Sequence, residues 1–264
     1  MGSPPERRAA APSGPPAFRD RTEAGVLLGA ALREVLGDLQ SRDPERGRAE
    51  TSPSDMTPSH RDSYRHGSRP VVFAIPRGGV PVAVGVARAL SAPLDVLMVR
   101  KIGHPEAPEL GLGAIAEDGA GGAGEPYFDA EMLSRVGLTP GDLADVVARE
   151  RAELARRVAV YVHEPVSASG RLVIVVDDGL ATGVTARAAL RAVRARGAWR
   201  TVLAVPVAAA AAVDAIAKET GEVVTLVTPR RFRSVGEWYA DFGQLTDDDV
   251  LTLLSSGGTT PYPR

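Results

Sequence analysis

The chain contains no cysteine and no asparagine. The first absence excludes disulfide bridges and thiolate metal sites, and the second excludes acceptors for N-linked glycosylation. Neither sign of charge dominates. The 31 basic and 33 acidic side chains leave a formal charge of −2, so no field of one sign argues for DNA, RNA or an anionic membrane as partner. No apolar run approaches the ~20 residues of a bilayer span; the longest, from Val202 to Val213, is short and rich in alanine. The opening stretch MGSPPERRAAAPSGPP has no apolar segment of the kind a signal peptide needs. Together these absences predict a soluble, cytoplasmic protein. What is present is ordinary for a globular chain: 264 residues, 44% hydrophobic and 24% charged, enough for one large domain or two small ones.

Residues 1–17 are rich in Pro, Ala and Ser and are expected to be disordered, as is a flexible tail over 255–264. Asp20 and Glu23 have the spacing of a capping box, and Ala24, Leu27, Leu28, Ala31, Leu32 and Val35 follow at helical spacing. Residues 40–70 are polar and aperiodic and read as a flexible insertion. From Val71 the pattern changes. The short runs at 71–75, 94–99, 112–118, 125–129, 171–176, 201–207 and 223–227 predict strands, with helices expected over 80–90, from 140, over 183–196 and over 208–219. Thr139-Pro140 has the residues of a helix start, and Leu143, Val146, Val147, Leu154 and Val158 form its apolar face. Strands alternating with helices imply an α/β domain with a mostly parallel sheet covered on both faces. In such sheets ligands sit beyond the carboxyl ends of the strands, which directs attention to three loops.

The run VIVVDDGLATGVT passes from an apolar strand through two aspartates into a glycine-bearing loop and a helix. A helix start with free amides is a natural anion site. Gly183 permits close approach, and Thr182 and Thr185 add hydroxyl donors. Carboxylates would repel the same anion, so Asp177 and Asp178 must serve another group. A vicinal diol fits, and anion site plus diol acceptors describe a ribose 5-phosphate; a pair of surface aspartates capping a helix is the other reading. In AIPRGGVP, Gly78 and Gly79 free two amides for close approach and Arg77 supplies a cation, which suits a diphosphate; a tight turn with a solvated arginine is the other reading. In RKIGHPEAPELGLGAIAEDG, Arg100 and Lys101 sit at a strand end, and Gly103, Pro105 and Pro108 oppose regular structure. His104 suits either diphosphate contact or a plain loop position. Gly111, Gly113 and Ala116 match a dinucleotide pattern, but a strand rather than a helix is expected to follow, so it is set aside.

VIVVDDGLATGVT resembles the phosphoribosyl pyrophosphate (PRPP) motif of type I phosphoribosyltransferases, without gaps from the apolar strand through the acidic pair to Thr-Gly-x-Thr. The resemblance covers about 18–38 and 71–254. It is strongest to a branch sharing the DR-x-EAG helix, the PRGG-VP loop, the KIG-x-P-E-x-P-E loop and the VGEWY-x-DF run, a branch without a settled substrate. The 40–70 segment departs from it. The resemblance implies a type I phosphoribosyltransferase-like domain over 18–254, its mostly parallel sheet flanked by helices and topped by a small hood. It implies that Asp177 and Asp178 hold ribose hydroxyls, that Ala181, Thr182, Gly183, Val184 and Thr185 wrap the 5-phosphate, and that Pro76, Arg77, Gly78, Gly79 and Lys101 meet diphosphate, in a loop that often carries a cis peptide. The family's flexible loop corresponds to 100–111.

The expected reaction displaces pyrophosphate from PRPP by a nitrogenous acceptor, with magnesium (Mg2+) on the diphosphate. Asp177 or Asp178 would meet that ion through water. Arg77, Lys101 and Asp178 are the catalytic candidates; no general base for the acceptor is obvious, and Asp178 is the one candidate for it. Trp238, Tyr239 and Phe242, with Phe232, form the one aromatic cluster; they fit either an acceptor wall or packing against the sheet edge. PRPP and a small-molecule acceptor are thus the expected partners, with no nucleic acid or membrane, and a homodimer is one option for assembly. A non-catalytic PRPP or nucleotide sensor on the same fold is the main alternative. A phosphatase lacks its motifs here, and a PRPP-synthesising enzyme would need a second, ATP-binding half.

Overall fold

The structure, a computed structural model, describes residues 16–41, 70–161, 166–220 and 222–256. The tails and the insertion expected over 1–17, 40–70 and 255–264 lie almost wholly outside the described residues. Ala17, at the edge of the first, donates its amide to the Trp238 carbonyl at 3.0 Å.

Five parallel strands form the main sheet: β1 (Val71–Ala74), β2 (Leu94–Val96), β6 (Leu172–Val176), β7 (Arg200–Val207) and β8 (Val223–Val227), in the order β2-β1-β6-β7-β8. A second, antiparallel sheet joins β3 (Val99–Gly103), β4 (Gly111–Ala116) and β5 (Tyr127–Phe128). The helices are α1 (Arg21–Ser41), α2 (Gly79–Leu90), α3 (Ala130–Val136), α4 (Ala144–Tyr161), α5 (Val184–Ala195), α6 (Ala210–Thr220) and α7 (Asp247–Ser256).

Alternation along the strands builds two cores. Val72, Ala74, Ile174, Val176, Val202 and Ala204 face α1, α2 and α4 with Leu28, Leu32, Val82, Val86 and Leu154. Val71, Phe73, Val173, Val175, Leu203 and Val205 face α5 and α6 with Ala189, Leu190, Val193, Val213 and Ile216. Each Val, Leu, Ile or Phe among them contributes about 1.5–3 kcal/mol when fully buried. β6 therefore sits at the centre of the sheet, covered on both faces, and its end is fixed by register: Ala74 pairs with Val176, and Val176 with Ala204.

α1 begins where the capping residues predict. Asp20 accepts from the Glu23 amide at 2.8 Å, and Glu23 accepts from the Arg19 amide at 2.5 Å. Its buried stripe is Ala24, Leu28, Leu32 and Leu36, narrower than the spacing suggests, with Leu27 47% exposed. α1 and α2 lie in close contact. A Cβ on Gly25 would lie 2.5 Å from the Val82 carbonyl oxygen, and one on Gly29 2.6 Å from the Ala89 Cβ. Gly25 and Gly29 thus meet Val82 and Ala89 in the same chain direction, which sets both N-termini at one end of the domain, where α2 leaves β1.

Three expectations need correction. The predicted strand 94–99 divides, because Leu97 still donates to Ala74 while Met98 turns away, its amide donating to the Glu117 carboxylate at 3.1 Å and its carbonyl accepting from the Glu117 amide. The stretch 100–111 is not a loop throughout: Arg100 to Gly103 are strand, and only 104–110 form the turn. The helix expected from Pro140 opens as a 3₁₀ turn over Pro140–Leu143, with Thr139 and Asp142 forming the capping box, before α4 takes over. The short helix α3 and the acidic-headed α7 have no counterpart among the expected elements.

Candidate functional site

β6 delivers Asp177 and Asp178 to the carboxyl edge of the sheet, between two strands that hold its backbone in place. The Asp177 carboxylate accepts from the Asp178 amide at 2.8 Å. Burial raises its proton affinity well above that of an ordinary carboxyl, and the neighbouring Asp178 charge adds to the effect. Burial raises Asp178 too, but the Arg21 guanidinium opposes this. Arg21 Nε donates to Asp178 Oδ2 at 2.8 Å, with side-chain exposures of 12% and 15%. Two adjacent acids held this dry, with one cation on Asp178, can accept hydrogen bonds from an incoming ligand.

The glycine-bearing loop into α5 follows. Leu180 is buried and bound to β7's end, donating to Val207 at 2.9 Å and accepting from Ala209 at 2.8 Å. Ala181 and Thr182 are exposed, and Gly183 caps α5 at φ +81°, a conformation that favours glycine. Val184 buries its side chain with Ala114, Ala116 and Tyr127, so it can offer a ligand only its amide. The first amides of α5 have no intrahelical acceptor and carry the positive end of its dipole. Thr185 is half-buried in the first turn.

The glycine loop after β1 meets this pair directly. A Cβ on Gly78 would overlap Asp178 Oδ2, and one on Gly79 would lie 2.7 Å from the Val176 carbonyl oxygen. The Gly79 amide is taken by the Ile75 carbonyl at 3.0 Å, which leaves close approach, not a free amide, as that residue's contribution. The cis peptide is Pro76–Arg77, one bond beyond the Ile75–Pro76 bond left open by the sequence. The structure thus brings the acidic pair, the α5 N-terminus and the PRGG turn into one site, with the α1 N-terminus beside them.

A phosphoribosyl transferase domain is recognised over residues 59–232. The chain belongs to the phosphoribosyltransferase family. Two Mycobacterium tuberculosis proteins, from strains CDC 1551 and H37Rv and named only provisionally as phosphoribosyl transferases, are each 42% identical over 190 residues, 71% of this chain. The chain spans 42% of the length of those relatives. Among solved structures, TT1426 from Thermus thermophilus is 37% identical with a TM-score of 0.63, covering 90% of this chain and 98% of that one. The five-stranded parallel sheet with its small antiparallel companion is the type I phosphoribosyltransferase fold.

Other candidate side chains take partners outside the loop that follows β6. Arg77 reaches Asp247 at the head of α7, NH1 to Oδ1 3.6 Å, both about two-fifths exposed; the Tyr161 hydroxyl donates to the same carboxylate oxygen. Lys101 lies along the β3–β4 hairpin and donates to the Glu109 carbonyl at 2.5 Å. Arg100 pairs with Glu150 at 2.7 Å. His104 Nδ1 accepts from the Glu106 amide at 3.1 Å within the hairpin turn. Among the described residues no hydrogen bond or ion pair joins Lys101 to the aspartates.

Trp238 and Tyr239 are 7% and 5% exposed, packed with Phe18, Ala24, Val207 and Val227. Phe242 has Tyr239 against one side, ring centroids 5.1 Å apart, and the Arg21 guanidinium over its face at 3.7 Å. The three rings are thus engaged in packing. Sequence reasoning missed Arg21, Tyr161 and Asp247. For Arg21 a signal existed in the DR-x-EAG segment. For the other two there was none, since no pattern marked α7 and their partner lies far along the chain.

Proposed function

We propose that this protein binds PRPP and transfers its phosphoribosyl group to a nitrogenous acceptor, releasing pyrophosphate. The contact between Gly78 and Asp178 carries the reading, because it joins a turn suited to diphosphate to acids suited to ribose. The 5-phosphate then lies on the amides of 181–185 and on Thr182 and Thr185, Asp177 and Asp178 accept from the ribose hydroxyls, and the diphosphate lies along 76–79. Reaction follows from placement: C1 is held open to the acceptor while positive groups receive the charge that builds on the leaving diphosphate. Arg77 supplies that charge, released from its long pair with Asp247, and Lys101 does so if the hairpin turn closes.

Among the described residues no group of three or more His, Asp or Glu could hold a metal. Two carboxylates alone fit a magnesium ion that arrives with the diphosphate and keeps several waters, which is this ion's habit. Such an ion supplies charge neutralisation at the diphosphate, and Asp177 or Asp178 would meet it through water.

A PRPP sensor is the second reading. It is favoured by the ties on both cations, Arg77 to Asp247 and Lys101 to the Glu109 carbonyl. The two separate when PRPP and magnesium are mixed with the protein and with purine, pyrimidine and pyridine bases in turn, and pyrophosphate is measured. Release dependent on one class of base establishes the transferase and its acceptor class. PRPP binding with no release across the panel supports the sensor.

A further inference from the structure

We propose that Arg21 is a positioning residue for the ribose-holding carboxylate of Asp178, and that Tyr239 and Phe242 act through that residue and not as an acceptor wall. The inference rests on the PRPP reading above and adds to it the group that aims its central acid.

A cation in the first turn of a helix faces the positive end of the helix dipole, an unfavourable place. Arg21 nonetheless opens α1 with only 12% of its side chain exposed. What holds it is a set of partners drawn from elsewhere in the chain. Nε donates to Asp178 Oδ2 at 2.8 Å and NH1 to the Gly243 carbonyl at 2.9 Å. The guanidinium carbon lies 3.7 Å from the centroid of Phe242, a cation–π arrangement that also fixes the plane of the group. Phe242 stacks on Tyr239, and the Tyr239 hydroxyl donates to the main-chain carbonyl of Asp178 at 2.6 Å. The side chain and the backbone of one aspartate are therefore gripped by a single connected cluster.

The cluster is rigidly mounted. The N-terminal segment and the 238–241 segment are stitched by four backbone hydrogen bonds: Ala17 and Phe18 amides to the Trp238 carbonyl, Ala240 to Phe18, and Asp241 to Arg19. α1 and α2 meet backbone to backbone at Gly25 and Gly85. Gly78 closes the other side of Oδ2. The Asp178 carboxylate is thus held between Gly78 and Arg21 in one orientation before any ligand arrives. This is the kind of support that decides whether an acid meets a hydroxyl at the right distance.

The test uses two probes that share a phosphate and differ in the sugar: ribose 5-phosphate and inorganic phosphate, titrated by calorimetry into the full-length chain. Arg21→Met should weaken ribose 5-phosphate by about tenfold or more, the effect of losing one charged hydrogen bond, and leave inorganic phosphate within about twofold. Arg21→Lys should recover part of the loss. In an Asp178→Asn background Arg21→Met should add little, because the two act through one carboxylate. Tyr239→Phe removes a single oxygen and serves as the milder variant should Arg21→Met fold poorly. It should weaken ribose 5-phosphate a few-fold and spare phosphate. Equal loss for both probes, or no loss for either while the wild type binds both, overturns the inference. A wild type that binds phosphate but gains nothing from the ribose overturns the PRPP reading itself, and this inference with it.

Discussion

Two places in the molecule bury a pair of acids beside one arginine, and they differ in what the acids have left to offer. Asp95 and Glu117, near the crossing between the two sheets, are both pushed toward higher proton affinity by burial. Asp95 accepts from the amides of Val96 and Val166 at 2.8 Å each. Glu117 accepts from the Met98 amide at 3.1 Å and lies 3.6 Å from Arg196, which also donates to the Glu117 carbonyl. These acids are consumed by the backbone, and their work is to carry the chain from one sheet to the other. Asp177 and Asp178 sit at the end of the central strand instead. Among the described residues their carboxylates accept one amide, that of Asp178, and one guanidinium. Their surroundings are glycines that leave room, not amides that fill it. Burial alone does not mark a functional acid; burial with unused acceptor capacity does.

The largest expected break in that comparison comes from neutralising each pair. Asp177→Asn with Asp178→Asn should abolish measurable PRPP binding, a loss of about a hundredfold or more from two charged hydrogen bonds, while circular dichroism shows an unchanged fold. Glu117→Ala should do the reverse. It strands the Met98 amide and part of the charge on Arg196, which for a buried pair costs about 3–5 kcal/mol. Thermal melting should fall by about 2–4 °C per kcal/mol in a domain of this size, with PRPP affinity within about twofold. Loss of PRPP binding from both changes would erase the distinction.

Neighbouring glycines sharpen it next. Gly78→Ala would set a Cβ on top of Asp178 Oδ2 and should weaken PRPP by about tenfold by forcing the carboxylate aside. Gly119 is at φ +84°, with a Cβ position 2.9 Å from Arg196 Nε. Gly119→Ala should cost stability, about 1 kcal/mol or more for the left-handed conformation, and leave PRPP titrations unchanged.

The smallest expected effect is on how stability varies with pH. Burial and the Asp178 charge raise Asp177 above its ordinary value of 3.8. The folded chain therefore binds this proton more tightly than the unfolded chain does, and the contribution to stability falls as pH rises from that ordinary value through the raised one. Asp177→Asn should remove the fall and raise the melting midpoint at neutral pH, as happens when a buried charge is held against its own preference. A lower midpoint for Asp177→Asn would show that the charge is structurally compensated after all.

Much of this is legible in the chain. VIVVDDGLATGVT announces a strand, an acid pair and an anion-binding helix start because each step has a local signature: β-branched residues, then acids, then glycine at a left-handed position. β8 matches its sequence pattern to the residue, and β7 and α5 nearly so, for the same reason. Legibility fails where geometry depends on distant partners. Arg100 to Gly103 look like loop because Gly and Pro follow, yet pairing with β4 extends the strand. Trp238, Tyr239 and Phe242 admit both ligand wall and packing from sequence, with packing the favoured reading, and only three-dimensional contact shows Phe18 and Arg21 against them. Arg21 lies 157 residues from Asp178, a separation no periodicity or spacing rule spans.

The most direct test of the account is calorimetric titration of PRPP with magnesium into the wild type, the Asp177→Asn/Asp178→Asn variant and Glu117→Ala, side by side. The account predicts binding in the wild type and in Glu117→Ala, and none in the double variant. Undiminished binding in the double variant would place PRPP elsewhere and contradict the assignment of the β6 loop.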